Sequence, residues 1–141
     1  MTKRVVLDAS AIAKWYLKEE ESEEMKALRM KIVAGEVEAH VPDLAFVELA
    51  NVLRYAKGSS VAVVANGIRA AMFLGMTVHR FEELFEKAVE IAFAKDLTIY
   101  DAIYAALAEL KDAALVTYDR ELLASVRRAQ RASDLLQELK K

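Results

Sequence analysis

Residues Arg4-Val5-Val6-Leu7-Asp8-Ala9-Ser10-Ala11-Ile12-Ala13-Lys14-Trp15-Tyr16-Leu17-Lys18 decide how the rest of the chain is read. Val5, Val6 and Leu7 form an unbroken apolar run, the pattern of a strand buried on both faces. Asp8 ends the run, and Ile12, Trp15 and Tyr16 then recur at helical spacing. A carboxylate at the carboxyl end of a buried strand stands at the rim where open α/β sheets bind ligands. Asp is equally a favoured helix N-cap. What separates a cap from a site is whether further acids reach the same rim.

Outward from that stretch, strands alternate with helices. Ser22 with Glu23 and Glu24 marks a helix start, Met25, Leu28, Ile32 and Val33 give its apolar stripe, and Gly35 its stop. A short strand is expected over 37–41, with Pro42 opening the next turn, and a long helix over 44–57 with Leu44, Val47, Val52 and Tyr55 on its apolar side. Ser59 or Ser60 caps a further apolar helix ending near Gly75. Then come a strand over 77–80, helices over 82–95 and 98–111, a strand over 113–117, a helix from Arg120, and a last helix capped by Ser133. Such alternation calls for a mostly parallel sheet sandwiched by helices, and the absence of a linker predicts one domain over residues 1–141.

Composition narrows the function classes. A chain of 141 residues, 55% apolar and 30% charged, can bury a core and still cover its surface with charge. Its net charge of −2 argues against a broad electrostatic grip on nucleic acid, though not against a local basic rim. Without cysteine there is no disulfide, thiolate zinc site or Cys nucleophile, and His40 and His79 share no metal-ligand spacing. With no basic-then-apolar leader and no uninterrupted apolar span, the chain reads as soluble, cytoplasmic and free of the membrane. Scarce Asn and Gln hint at a hot-living source.

Three more acids have the placement of interest. Glu48 shares a helix side with Leu44, Asn51, Val52 and Tyr55, where a lone ionised carboxylate is costly unless paired or ligating a metal. The alternative is a stripe-edge Glu48 that reaches water, Arg54 or Lys57. Asp101 opens an almost wholly apolar helix and also suits a capping box with Thr98. Asp119 repeats the arrangement of Asp8 after a second apolar strand, with an N-cap as its alternative. Carboxylates gathered about 5 Å apart would repel by roughly 3 kcal/mol per pair at an effective dielectric near 20. Such a cluster takes up protons or binds cations, and hard oxygen donors suit Mg²⁺ or Mn²⁺ and hence phosphate substrates.

Four segments together resemble the PIN-domain ribonucleases, and within them the VapC-type toxins of prokaryotic toxin–antitoxin pairs. They are Val6-Leu7-Asp8-Ala9-Ser10 with Lys14-Trp15, Pro42 with Glu48-Leu49-Ala50-Asn51-Val52-Leu53, Tyr100-Asp101-Ala102 with Tyr104 and Ala106-Leu107-Ala108, and Val116-Thr117-Tyr118-Asp119. The resemblance implies a three-layer α/β/α fold with a parallel five-stranded sheet in the order 3-2-1-4-5. It implies that Asp8, Glu48, Asp101 and Asp119 hold one or two Mg²⁺ or Mn²⁺ ions, and that metal-activated water cuts an RNA phosphodiester. A homodimer and a VapB-like antitoxin across the acidic cleft are implied as partners. Ser10 and Thr117 are candidates to hold metal-bound water or a ligand carboxylate, Asn51 to fix Glu48, and Lys14 to touch substrate, with a place in solvent as its alternative. Where the family often has an apolar edge strand, this chain has Arg127-Arg128-Ala129-Gln130-Arg131-Ala132, which leaves the fifth strand open. Those arginines are either a phosphate-contacting rim or a solvated face, and the second is preferred. The rival from another function class is an inactive PIN-like module that binds RNA or docks to protein, against which the presence of all four acids speaks.

Overall fold

The structure, a computed structural model, describes residues 2–141. Strand β1 (Lys3–Leu7) leads into the short helix α1 (Ala9–Ala13), then α2 (Ser22–Val33), β2 (Val37–Pro42), α3 (Leu44–Arg54) and α4 (Val61–Met72). Strand β3 (Thr77–His79), α5 (Phe81–Lys95), α6 (Ile99–Leu110), β4 (Ala114–Val116), α7 (Arg120–Ser125), β5 (Ala129–Gln130) and α8 (Ala132–Leu139) follow. All pairings are parallel and the order is β3-β2-β1-β4-β5. The central strand β1 is covered on both faces, so Val5, Val6 and Leu7 are fully buried, as their unbroken apolar run requires.

The fifth strand exists despite its polar sequence. It is two residues long, with Ala129 opposite Leu115 and Gln130 opposite Val116, and the backbone of β4 supplies the pairing. Only Ala129 gives it an apolar contact with the core, and main-chain bonds to β4 supply the rest. Arg127 and Arg128 precede it at the amino end of the sheet, away from Asp8 and Asp119, and Arg128 pairs with Asp112 at 2.8 Å. They are therefore not part of the acidic rim.

Several helix expectations need correction. The buried side of α3 is Ala45, Phe46, Leu49 and Leu53, whereas Val47, Val52 and Tyr55 are exposed. The segment is apolar nearly all round, so periodicity alone supports two stripes, and packing selects one. Glu48 consequently stands on the outer side facing the cleft. Helix α4 packs on α3, with Gly67 and Ala71 buried and Val64 and Ile68 half-buried against the core, while Val61, Val63 and Met72 are exposed. Helix α2 does start at Ser22, with Glu23 and Glu24 in its first turn; the Ser22 Oγ donates to the Leu17 carbonyl at 2.7 Å and accepts from Glu19 N at 2.9 Å. Ser133 lies inside α8, whose N-cap position is Arg131. Trp15 and Tyr16 follow α1 in a turn, where the Trp15 indole donates to the Met25 carbonyl at 2.8 Å.

A buried polar chain fastens the edge strand β3. His40 Nδ1 and His79 Nε2 are 2.9 Å apart; the outer nitrogens meet Glu38 at 2.7 Å and Glu83 at 3.2 Å. Burial pushes the His79 imidazole below its ordinary value, opposed by Glu83 and reinforced by the charges of His40 and Lys111. The His79 carbonyl accepts from Asp43 N at 2.9 Å, which ties the edge strand to the start of the helix carrying Glu48.

Candidate active site

Asp8 and Asp119 follow the adjacent strands β1 and β4, at the carboxyl edge of the sheet centre. Both are also helix N-caps: Asp8 Oδ1 accepts from Ala11 N and Asp119 Oδ1 from Leu122 N, each at 3.0 Å. The cap and site readings are thus compatible. Asp101 sits in the first turn of α6, where its N–H donates to the Thr98 hydroxyl at 3.1 Å. Glu48 enters from α3.

Two hydroxyls couple Asp8 to the β4–α7 turn. Ser10 Oγ donates to Asp8 Oδ1 at 2.6 Å and accepts from Tyr118 N at 3.0 Å. The Thr117 hydroxyl donates to Asp8 Oδ2 and accepts from Asp119 N at 3.0 Å. Each oxygen of Asp8 is therefore linked, through one hydroxyl, to the backbone beside Asp119. This is the supporting place expected of Ser10 and Thr117.

Asn51 does not have the place expected of it. It is exposed and makes no hydrogen bond to Glu48; the Glu48 carboxylate instead accepts from the Tyr104 hydroxyl across from α6. Spacing along one helix gave Asn51 proximity but not reach. Burial, then the Glu48 carboxylate, raise the Tyr104 pKa, so the phenol stays protonated and acts as the donor. Lys14 is not in solvent: only 8% exposed, it holds its ammonium 4.4 Å from the Tyr118 ring centroid and 3.6 Å from Glu19.

The electrostatics are those of gathered acids without counterions. Burial pushes Asp8 up to about 6, with Asp119 adding to the rise and the hydroxyls of Ser10 and Thr117 and the Ala11 N–H opposing it. Burial also raises Asp101 to about 6, reinforced by Asp119, Asp8 and Glu121. Glu48 is raised by burial and by Asp101 and Asp119, against the bond from Tyr104. Glu121, a fifth acid in electrostatic range, follows Asp119 by two residues. Among the described residues, no Lys, Arg or His is paired with any of Asp8, Glu48, Asp101 or Asp119.

These oxygen donors fit a hard divalent cation, because buried acids that raise one another's pKa and lack a cationic side chain are stabilised by one. They are not a closed cage. Among the described residues, no three acidic, histidine or cysteine side chains already converge tightly enough to hold an ion. Two open hollows lie along α3 and the start of α6, and the second is lined by Glu48. One of about 630 Å³ has Leu44, Val47, Phe81 and Tyr100 in its walls; one of about 670 Å³ includes Glu48, Asn51 and Val52.

Comparison with known proteins adds the family. The PIN domain model matches residues 5–129. Ribonuclease VapC3 of Pyrobaculum aerophilum is 36% identical over 124 residues, covering 84% of this chain and 92% of that protein. The crystal structure of PAE2754 from the same organism superposes with a TM-score of 0.70 at 26% identity, covering 98% of this chain and 90% of that one. A toxin–antitoxin complex from Klebsiella pneumoniae has a chain of the same fold, with a TM-score of 0.66 at 16% identity over 91% of this chain and 97% of that one.

Proposed function

Since the chain belongs to the PIN-domain family, beside its VapC-type ribonucleases, we propose that it is a Mg²⁺- or Mn²⁺-dependent endoribonuclease and the toxin of a toxin–antitoxin pair. The reading is supported by Asp8, Glu48, Asp101 and Asp119 lying within electrostatic range of others in the set, with no Lys, Arg or His among the described residues paired to any of them. These four would hold one or two ions. When bound, a divalent cation supplies Lewis acidity that makes water a competent nucleophile and offsets phosphate charge.

The chain's own residues do the positioning. Ser10 and Thr117 keep Asp8 in one orientation, and Tyr104 does the same for Glu48. The Lys14 ammonium, held between Glu19 and the Tyr118 ring, is committed to the β4–α7 turn rather than presented to RNA. Attack by water leaves a 5′-phosphate and a 3′-hydroxyl. With purified protein and a single-stranded RNA, cleavage is expected with Mn²⁺, lost with EDTA, and restored when excess Mn²⁺ is added. Undiminished cleavage in EDTA would refute the cation's role.

The proposed partners follow from the same surface. An antitoxin lying over the hollows beside Tyr100 would present an Arg or Lys to the acids. No helix among the described residues is long and apolar enough to cross a membrane, and we place the protein in the cytoplasm with its RNA. For self-association we propose the outer side of α4, where Val61 is 89% and Phe73 83% exposed. A dimer is expected in sedimentation at micromolar concentration without antitoxin; a monomer there would count against that interface.

A further inference from the structure

Glu21 is held in a left-handed backbone conformation, φ 66°, that non-glycine residues adopt at a cost. Glycine would suit this backbone better, so the position's contribution must come from the carboxylate. That carboxylate accepts three hydrogen bonds: Oε1 from the Tyr118 hydroxyl at 2.7 Å and Ser133 N at 3.0 Å, and Oε2 from Ser133 Oγ at 2.9 Å. The Tyr118 hydroxyl in turn accepts from Ala132 N at 3.1 Å. The opening N–H groups of α8, which has no side-chain cap of its own, are thus satisfied by Glu21 and Tyr118 from elsewhere in the chain.

Tyr118 is the residue between Thr117 and Asp119. Its backbone N–H is bonded to Ser10, and Asp119 N to Thr117, so hydroxyls on Asp8 fix the turn from the inside. The Tyr118 side chain fixes the same turn from the outside, with one ring face beneath the Lys14 ammonium. The loop before α2 reaches both partners, Glu19 touching Lys14 and Glu21 touching Tyr118. Ser22 closes that loop on itself through Leu17 and Glu19, so the two glutamates come from a fixed frame.

We propose that Glu21 and Tyr118 form a brace that sets the β4–α7 turn, making Glu21 a positioning residue for the cation held at Asp8 and Asp119. The brace presupposes the cation-holding role proposed above. Burial alone would raise the Glu21 pKa, but the bonds from Tyr118 and Ser133 and the charge of Arg131 hold it below the ordinary carboxylate value, so the acceptor stays ionised at neutral pH. Loss of the Tyr118–Glu21 bond frees the ring and lets the turn carry Asp119 away from Asp8, weakening the cation more than it weakens the fold.

The test is calorimetric titration of Mn²⁺ into the full chain, without RNA and well below the melting temperature. Tyr118→Phe and Glu21→Ala should each weaken Mn²⁺ binding by about threefold to tenfold, below the range seen for groups bonded directly to ligands. The double variant should be no weaker than either single one, because both remove the same link. Glu21→Gln, whose carbonyl can replace Oε1, should return the affinity to within about twofold of wild type. Ser133→Ala removes only the Oγ bond to Oε2, leaves the Tyr118–Glu21 bond intact, and should leave Mn²⁺ affinity unchanged while lowering the melting temperature. Wild-type affinity in both Tyr118→Phe and Glu21→Ala would overturn the brace while leaving the cation site standing. Failure of the wild type itself to bind Mn²⁺ would overturn the brace and the cation reading together.

Discussion

Asp8→Asn, Glu48→Gln, Asp101→Asn and Asp119→Asn should each lower RNA cleavage by on the order of a thousandfold while the protein stays folded. Each amide keeps the side chain's size and removes one negative charge from the set proposed to hold the cation. The supporting residues should rank differently. Tyr104→Phe removes the donor on Glu48 and should cost about tenfold, the lower end for a group bonded to a ligand. Asn51→Ala, at an exposed residue without a bond to Glu48, should stay within about threefold of wild type. Rates under saturating Mn²⁺, with circular dichroism to verify folding, check all six. Full activity in the Asp8 or Asp101 variant would dismantle the four-acid site; an Asn51 effect larger than that of Tyr104 would reverse the assignment of who holds Glu48.

That contrast between Asn51 and Tyr104 marks where sequence reading runs out. Asp8 and Asp119 were legible because a buried strand that ends at an acid has few other places to put it. Asp101 was legible because its helix, from Ala102 to Ala108, is buried throughout and leaves little else polar. Contacts between separate helices have no period along the chain, so the bond from Tyr104 to Glu48, 56 residues apart, could not be read from spacing. The same holds for Glu21 and Ser133, 112 residues apart and joined through an unusual backbone angle. The burial of α3 was misjudged for another reason: an apolar helix beside a cleft carries one stripe for the core and one for the site, and hydrophobicity alone does not rank them. The two-residue strand β5 gives periodicity nothing to work on.

Thermal melts of the wild type and Asp101→Asn, with EDTA and with Mn²⁺, test most directly whether the four acids gather around a cation. Asp101 is the best position because Asp8→Asn would also disturb the Ser10 and Thr117 hydroxyls. A carboxyl raised from 3.8 to about 6 in the fold contributes stability that is complete below about pH 3.8 and lost as pH rises through 6. At 1.36 kcal/mol per tenfold change in acidity, the loss is at most about 3 kcal/mol. Solvent over this half-buried group reduces it to roughly 1.5, and removing an acid from the first helical turn offsets about 0.5 more. In EDTA at pH 7.5, Asp101→Asn should therefore melt about 4 °C above wild type, from a net gain of about 1 kcal/mol. Near pH 3.5 that gain should vanish. Mn²⁺ at a hundred times its dissociation constant should stabilise the wild type by about 2.7 kcal/mol, on the order of 10 °C, and the variant by clearly less. An apo variant that melts below wild type at pH 7.5, together with a wild type indifferent to Mn²⁺, would show that Asp101 is only a helix-end acid and that the four carboxylates hold no ion.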